Sequence, residues 1–324
     1  MSPRRHRILS GVQPSGKLHL GNYFGAIRQH IALQDEGDCF FFIADYHALT
    51  TIQDRRQLAE NVRGVALDYL ALGLDPEKAA FFRQSNIPEV TELAWILSTV
   101  TGMGLLERAH SYKDKLARGL TASAGLFSYP VLMAADILIY RSNLVPVGQD
   151  QVQHIEMTRD MAGSFNQVYG RVFPLPEHRL DRSPTVPGTD GKKMSKSYGN
   201  TIEIFAEGAQ LKNSIMRIVT DSTPVEAPKD PDQDTLFSLY SLFADDAEKK
   251  ALAARYRAGG LGYGEVKKML VQKVDAYFAP ARARRKEMEQ HPSIVESALH
   301  KGAAKARAEA QETMRLVREA VGLR

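Results

Sequence analysis

Three places in this chain carry side chains whose types and spacing suit chemistry on a charged ligand. The first is Gly11-Val12-Gln13-Pro14-Ser15-Gly16-Lys17-Leu18-His19-Leu20-Gly21-Asn22. Its glycines let backbone approach a ligand closely. A helix starting at Gly21 to Asn22 turns unpaired N–H groups and a positive dipole end toward an anion. His19 and Asn22 add side-chain donors to a polyphosphate whose charge changes during reaction. The segment is neither G-x-x-x-x-G-K-[ST] nor G-x-G-x-x-G, and by itself it reads equally well as a Gly/Pro turn with a surface histidine. The second place is Lys192-Lys193-Met194-Ser195-Lys196-Ser197, where three ammonium groups repel one another unless a strong anion gathers them. A mobile loop of this kind closes over a nucleotide and supplies charge during displacement at phosphorus, although most lysine runs are simply solvated. The third is Asp136 in Met133-Ala134-Ala135-Asp136-Ile137-Leu138. A carboxylate on so apolar a helix is costly without a hydrogen-bond donor, and both a neighbouring backbone and a ligand qualify.

Elements that hold such groups in place alternate along the first half. Apolar runs at Ile8-Leu9, Phe40 to Ala44, Ala79 to Phe82 and Leu144 to Val147 predict strands. Helical spacing over Asn22 to Leu33, Asp54 to Leu72 with Asp54 as its cap, Pro88 to Val100, Tyr129 to Tyr140 and Gln151 to Tyr169 separates them. This alternation predicts α/β architecture, a doubly wound parallel sheet of Rossmann-like type, whose ligands bind outside the carboxyl ends of the strands. Gly102 to Gly125 is more polar and is expected to be an insertion. The Pro/Gly-rich stretch from Pro174 to Gly191 is expected to lack regular structure. From about Asn200 the chain turns to helix formers, with helices over Leu236 to Leu242, Asp246 to Arg257, Tyr263 to Phe278 and Pro292 to Val321. The expected domains are therefore a nucleotide-binding catalytic domain over 1–187, the lysine loop as a hinge over 188–199, and an all-helical domain over 200–324.

Composition narrows the class. With 324 residues, 44% hydrophobic and 25% charged, the chain is that of an ordinary globular protein of roughly two domains. Apolar stretches such as Phe40 to Ala44 are far short of a membrane span, and the basic start from Met1 to Arg7 is not followed by a secretory pattern, so a cytoplasmic location is expected. Cys39 is the single cysteine and has no zinc-spaced partners, so a small buried hydrophobe in a strand is expected. No metal-ligand cluster is found. The net charge of +4 suits a polyanionic partner without requiring one, and in 281–324 ten lysines and arginines stand against six acids.

His19-Leu20-Gly21-Asn22 resembles the first signature of the class I aminoacyl-tRNA synthetases, and Lys193-Met194-Ser195-Lys196-Ser197 reproduces their second. Within that class the chain is similar, along nearly its whole length, to the bacterial tryptophan-specific branch. The residues that carry this are Gly11 to Gly16, Gly21 to Ala26, Met133 to Leu138, and Pro146-Val147-Gly148-Gln149-Asp150-Gln151 followed by His154. The resemblance implies ATP-dependent activation of L-tryptophan to tryptophanyl-adenylate and transfer to tRNA(Trp), with Mg²⁺ as the counter-ion of ATP, no tightly bound cofactor, a homodimer, and a helical domain that meets the anticodon. It implies His19, Asn22, Lys193, Lys196 and Ser197 as catalytic residues, Lys196 stabilising the transition state. The ATP site it implies comprises Gln13, Pro14, Ser15, Gly21, Asn22, Lys113, Lys115, Gly148, Gln149, Asp150, Val186, Lys193, Met194, Ser195, Lys196 and Ser197. Of these, Gly148 to Asp150 hold the ribose, Lys113 and Lys115 reach the pyrophosphate and Val186 flanks the adenine. For tryptophan it implies Asp136 as acceptor of the indole N–H, Tyr129 and Gln151 at the ammonium, and Met133, His47 and Val145 in the pocket. The chain departs from the common family pattern at Leu9, Gln149 and Tyr198-Gly199-Asn200.

Other readings stay open on the sequence. The tyrosine-specific branch shares fold and signatures, and an inactive paralogue would keep the fold as a binding protein. A small adenylyltransferase would leave the helical C-terminal region unexplained.

Overall fold

The structure is a computed structural model that describes residues 6–109, 123–180 and 185–323. The chain begins with β1 (His6–Val12). Next come α1 (Leu20–Asn22), a π-helical turn (Tyr23–Ile27) and α2 (Arg28–Leu33), two residues earlier than the helix expected from Asn22. There follow β2 (Gly37–Ile43), α3 (Asp45–Ala48), α4 (Arg55–Ala71), β3 (Ala79–Arg83) and α5 (Glu89–Ser98). Of the expected insertion, α6 (Met103–Glu107) and α7 (Ala124–Phe127) are described; Lys113 and Lys115 lie outside the described residues. Then come α8 (Tyr129–Ile139), β4 (Leu144–Val147), a short turn (Gln149–Gln151), α9 (Val152–Tyr169) and β5 (Glu177–Leu180). The remainder holds α10 (Gly208–Met216), α11 (Thr235–Ser241), α12 (Asp246–Ala258), α13 (Tyr263–Gln290) and α14 (Pro292–Val321).

The five strands are parallel, in the order β3-β2-β1-β4-β5. This is the Rossmann-like α/β sheet that the alternation predicts. Connections leave β1 and β4 in opposite directions, so a topological switch point lies between their carboxyl ends. β2 reads Gly-Asp-Cys-Phe-Phe-Phe-Ile and is buried almost throughout, as a strand covered on both faces must be, with Cys39 in its interior. Asp54 accepts from Gln57 N–H at 2.8 Å and starts α4 as expected. β5 corrects the expectation of an irregular 174–191. It pairs with β4 from Leu144↔Glu177 to Val147↔Leu180. Its four residues are mostly exposed at the sheet edge, so they carry no apolar run, and the prolines flank the strand without interrupting it.

Contacts divide the chain otherwise than at 187 and 200. Unit 1 comprises Met1–Gly16, His30–Asp181 and His291–Arg324; unit 2 comprises Lys17–Gln29 and Arg182–Gln290. The physical reason is α14. Its small residues Gly302, Ala306 and Ala310 form a buried stripe that lets the helix lie against β3, with Met314 and Val317 extending it into the core shared with Phe40, Phe82 and Leu138. The last helix therefore belongs to the sheet. In unit 2 the signature segment is anchored by rings: Tyr23 packs edge-on to Phe278 with centroids 5.0 Å apart, and Phe24 to Phe243 at 5.1 Å. Among the described residues no helix is long and apolar enough to cross a membrane.

Candidate active site

Unit 2 brings together two segments far apart in sequence. Ahead of α1, the His19 N–H donates to Asn22 Oδ1 at 3.1 Å, so the Asn22 side chain closes the helix start on itself. Leu20 N–H donates to Ile202 O at 3.0 Å and Ile204 N–H to Leu18 O at 3.2 Å, which pairs 18–20 with the chain that leaves the lysine loop. Gly21 N–H donates to the Met194 sulfur at 3.4 Å. A Cβ at Gly21 would sit 3.0 Å from the His19 ring and 3.3 Å from Met194 Cβ, so the bare backbone is what lets Met194 seat there. The His19 ring is only 5% exposed and its Nδ1 has no hydrogen-bond partner among the described residues. Burial, and secondarily the Lys196 ammonium, push its pKa down to about 4, so the imidazole is neutral at physiological pH.

The lysine loop is tied at its base and open at its tip. Met194 N–H donates to Val186 O at 2.9 Å, Gly188 N–H to Lys192 O at 2.6 Å, and Pro187 bridges Lys193. Met194 and Val186 are buried, whereas Lys193, Lys196 and Ser197 are exposed. The Ser195 and Ser197 hydroxyls pair at 2.8 Å. Asn200, 2% exposed, joins the two arms: Oδ1 accepts Ser195 N–H at 2.8 Å, while Nδ2 donates to Asp190 Oδ1 at 2.7 Å and Lys193 O at 3.2 Å. In the sequence Asn200 stands only within the departure Tyr198-Gly199-Asn200; its polar side chain three residues past the loop is the one signal of this role.

In unit 1, Gln13, Pro14 and Ser15 follow β1 directly, Ser15 N–H turning back to Gln13 O at 2.8 Å, with Pro14 buried and Gln13 and Ser15 exposed. Gly148, Gln149, Asp150 and Gln151 follow β4 and lead into α9; Gln149 is exposed. Both groups thus lie at the carboxyl ends that flank the switch point, where the sheet rule puts ligands.

Asp136 is 2% exposed on α8. Tyr129, half-buried Met133 and Asp136 share its face at i, i+4 and i+7. The acid does not stand unpartnered. Gln84 Nε2 donates to Asp136 Oδ1 at 2.8 Å and Oδ2 at 2.9 Å, and His47 Nε2 lies 2.8 Å from Oδ2. Burial pushes the carboxyl pKa up, while His47 and then Gln84 pull it back. The His47 ring lies 4.2 Å, centroid to centroid, from Tyr129, which is 6.1 Å from His154. Burial, aided by Asp136, raises the Tyr129 phenol to about 12, so it stays a neutral donor. Val145 is buried in β4, and Gln151 is half-buried. Gln84 carries no motif in the sequence; it follows β3 as His47 follows β2, and that position at a strand's carboxyl end is its one signal. A separate surface depression of about 510 Å³ has Asp45, Leu49, Ile52, Arg55 and Val62 in its wall and none of Asp136, His47, Gln84 and Tyr129.

Such a set can do two things. The neutral imidazole and loop ammoniums of unit 2 suit phosphate oxygens, and the acid among aromatic rings in unit 1 suits an aromatic ligand with a ring donor. Residues 1–279 match the family of tRNA synthetases class I (W and Y). The tryptophan--tRNA ligase of Rhodopirellula baltica is 59% identical over 319 residues, covering 98% of this chain and 100% of that protein. The tryptophanyl-tRNA synthetase of Campylobacter jejuni, solved with ADP and tryptophan, superposes with a TM-score of 0.94 at 52% identity, covering 98% and 100% of the two chains. That of Mycoplasma pneumoniae gives 0.81 at 28% identity over 99% and 98%. This chain belongs to the class I tRNA synthetases of the W and Y family.

Proposed function

We propose that this enzyme activates L-tryptophan with ATP to tryptophanyl-adenylate and transfers the acyl group to tRNA(Trp). The observation that carries the reading is the packing of the second signature on the first through Met194 and Gly21. In adenylate formation the tryptophan carboxylate attacks the α-phosphorus and pyrophosphate leaves, so the protein must position reactants and neutralise charge and needs no nucleophile. Neutral His19 and Asn22 hydrogen-bond the phosphates, Lys193, Ser195 and Ser197 hold them, and Lys196 stabilises the charge that grows in the transition state. Gln13 to Ser15 and Gly148 to Asp150 hold the adenosine moiety, with Val186 against the adenine. ATP enters with Mg²⁺ as its counter-ion.

Asp136 accepts the indole N–H, Tyr129 and Gln151 receive the ammonium, and Met133, His47 and Val145 wall the pocket. A site that reads an N–H rejects analogues without it far better than an apolar pocket rejects a missing methylene. The helical residues 200–290 meet the anticodon, and the enzyme works as a homodimer in the cytoplasm. The test is amino-acid-dependent pyrophosphate exchange with tryptophan and tyrosine. Exchange should depend on tryptophan and fall about 100-fold or more in Lys196→Ala. Preference for tyrosine, or an unchanged rate in the variant, overturns the reading.

A further inference from the structure

Gln84 is 1% exposed at the carboxyl end of β3 and connects two groups of opposite demand. Its Oε1 accepts Tyr46 N–H at 3.1 Å and His47 N–H at 3.4 Å, at the start of α3. Backbone amides only donate, so the carboxamide oxygen must face them and its NH₂ must face Asp136. That orientation is what puts Nε2 within 2.9 Å of both carboxylate oxygens. A carboxylate offers about four lone-pair sites. Gln84 and His47 engage part of them, and both reward the ionised, acceptor-only form. Asp45, the other acid nearby, shares the Tyr46 N–H with Gln84, accepting it at 3.0 Å, and is itself held by Ser85 N–H at 2.9 Å and Ser85 Oγ at 2.5 Å, so the Gln84 NH₂ is left to Asp136.

We infer that Gln84 is the positioning residue for substrate specificity: fixed by the amides of Tyr46 and His47, it holds Asp136 as a pure acceptor, so the site takes a ring bearing an N–H and refuses an isosteric ring without one. Gln84 acts through Asp136 and does not itself touch the substrate. The inference rests on the proposed meeting of Asp136 with the indole. It adds that the polarity of the acid is set from the backbone of α3.

The experiment uses the full chain in pyrophosphate exchange with tryptophan and with β-(3-benzothienyl)alanine, whose ring sulfur replaces the N–H. The parent enzyme should prefer tryptophan by about 100-fold or more in kcat/KM. Gln84→Met keeps the volume and removes the donor, and its preference should shrink below about tenfold through KM for the amino acid, with KM for ATP unchanged. Gln84→Glu keeps the acceptor toward the amides but sets a carboxylate against Asp136. Its preference should be lost at pH 8 and partly regained toward pH 6, as a proton shared by the two acids restores a donor, a rescue that a merely structural role would not give. A preference kept by both variants overturns the inference while leaving the tryptophan reading intact. No preference in the parent enzyme overturns both.

Discussion

Lowering the pH should leave the His19 ring without a proton well below the point where an exposed histidine has gained one. Its pKa is pushed from 6.5 to about 4, first by burial and second by Lys196. At 1.36 kcal/mol per unit, the fold disfavours the charged ring by about 3 kcal/mol. The sign follows from counting protons: between pH 6.5 and 4 the unfolded chain binds one at this site and the folded chain does not. The contribution of neutral His19 to stability is therefore complete above about pH 6.5 and is lost progressively toward pH 4. The assay is NMR of the full chain labelled with ¹³C-histidine, the His19 signal being assigned by its absence in His19→Asn. Its titration midpoint should fall near 4. In Lys196→Gln the midpoint should rise yet stay below 6.5, because burial is the larger cause. A midpoint at or above 6.5 in the parent chain would refute the burial argument, and one unmoved by Lys196→Gln would sever the electrostatic link between the two signatures.

Two further outcomes concern packing. Asn200→Ala removes three hydrogen bonds that tie the lysine loop, one of them to a carboxylate, at about 1 kcal/mol or somewhat more each. The loop should lose about 3 kcal/mol of local stability, seen as faster amide exchange over 190–200, and KM for ATP should rise about tenfold; unchanged exchange at Ser195 counts against the tie. Gly302→Ala would ordinarily steady a helix by about 1 kcal/mol. Here the new methyl would press into the backbone of Phe81, and overpacking of about 2–3 kcal/mol should reverse the sign. A lower urea midpoint is expected, and a higher one would show that α14 moves freely on β3.

What could be read from the sequence was whatever is local. β2 announces itself by an unbroken apolar run, α4 by Asp54 and its periodicity, and the two signatures by residues adjacent in the chain. β5 stayed hidden because four exposed residues at a sheet edge carry neither an apolar run nor alternation. The docking of α14 stayed hidden because a helix that lies on a strand and one that lies on other helices show the same 3.6-residue stripe; only the small residues at 302, 306 and 310 hint at a close neighbour. Asp136 drew notice as an acid among apolar residues. His47 is implied in the pocket by the resemblance, though not as a partner of Asp136, and Gln84 drew no notice, since both come from other elements and a glutamine in isolation reads as polar surface.

Because α14 lies against β3, unit 1 is not a contiguous stretch of chain. Phe81 leaves the ribosome roughly 220 residues before Gly302, a delay of about 10 to 45 seconds at ordinary rates of synthesis. Throughout that interval the side of the sheet destined for Ala306, Ala310 and Met314 is bare. Nascent chains are thus open to chaperones at that face, and a chain cut before Pro292 would keep both signatures and leave that side of the sheet uncovered.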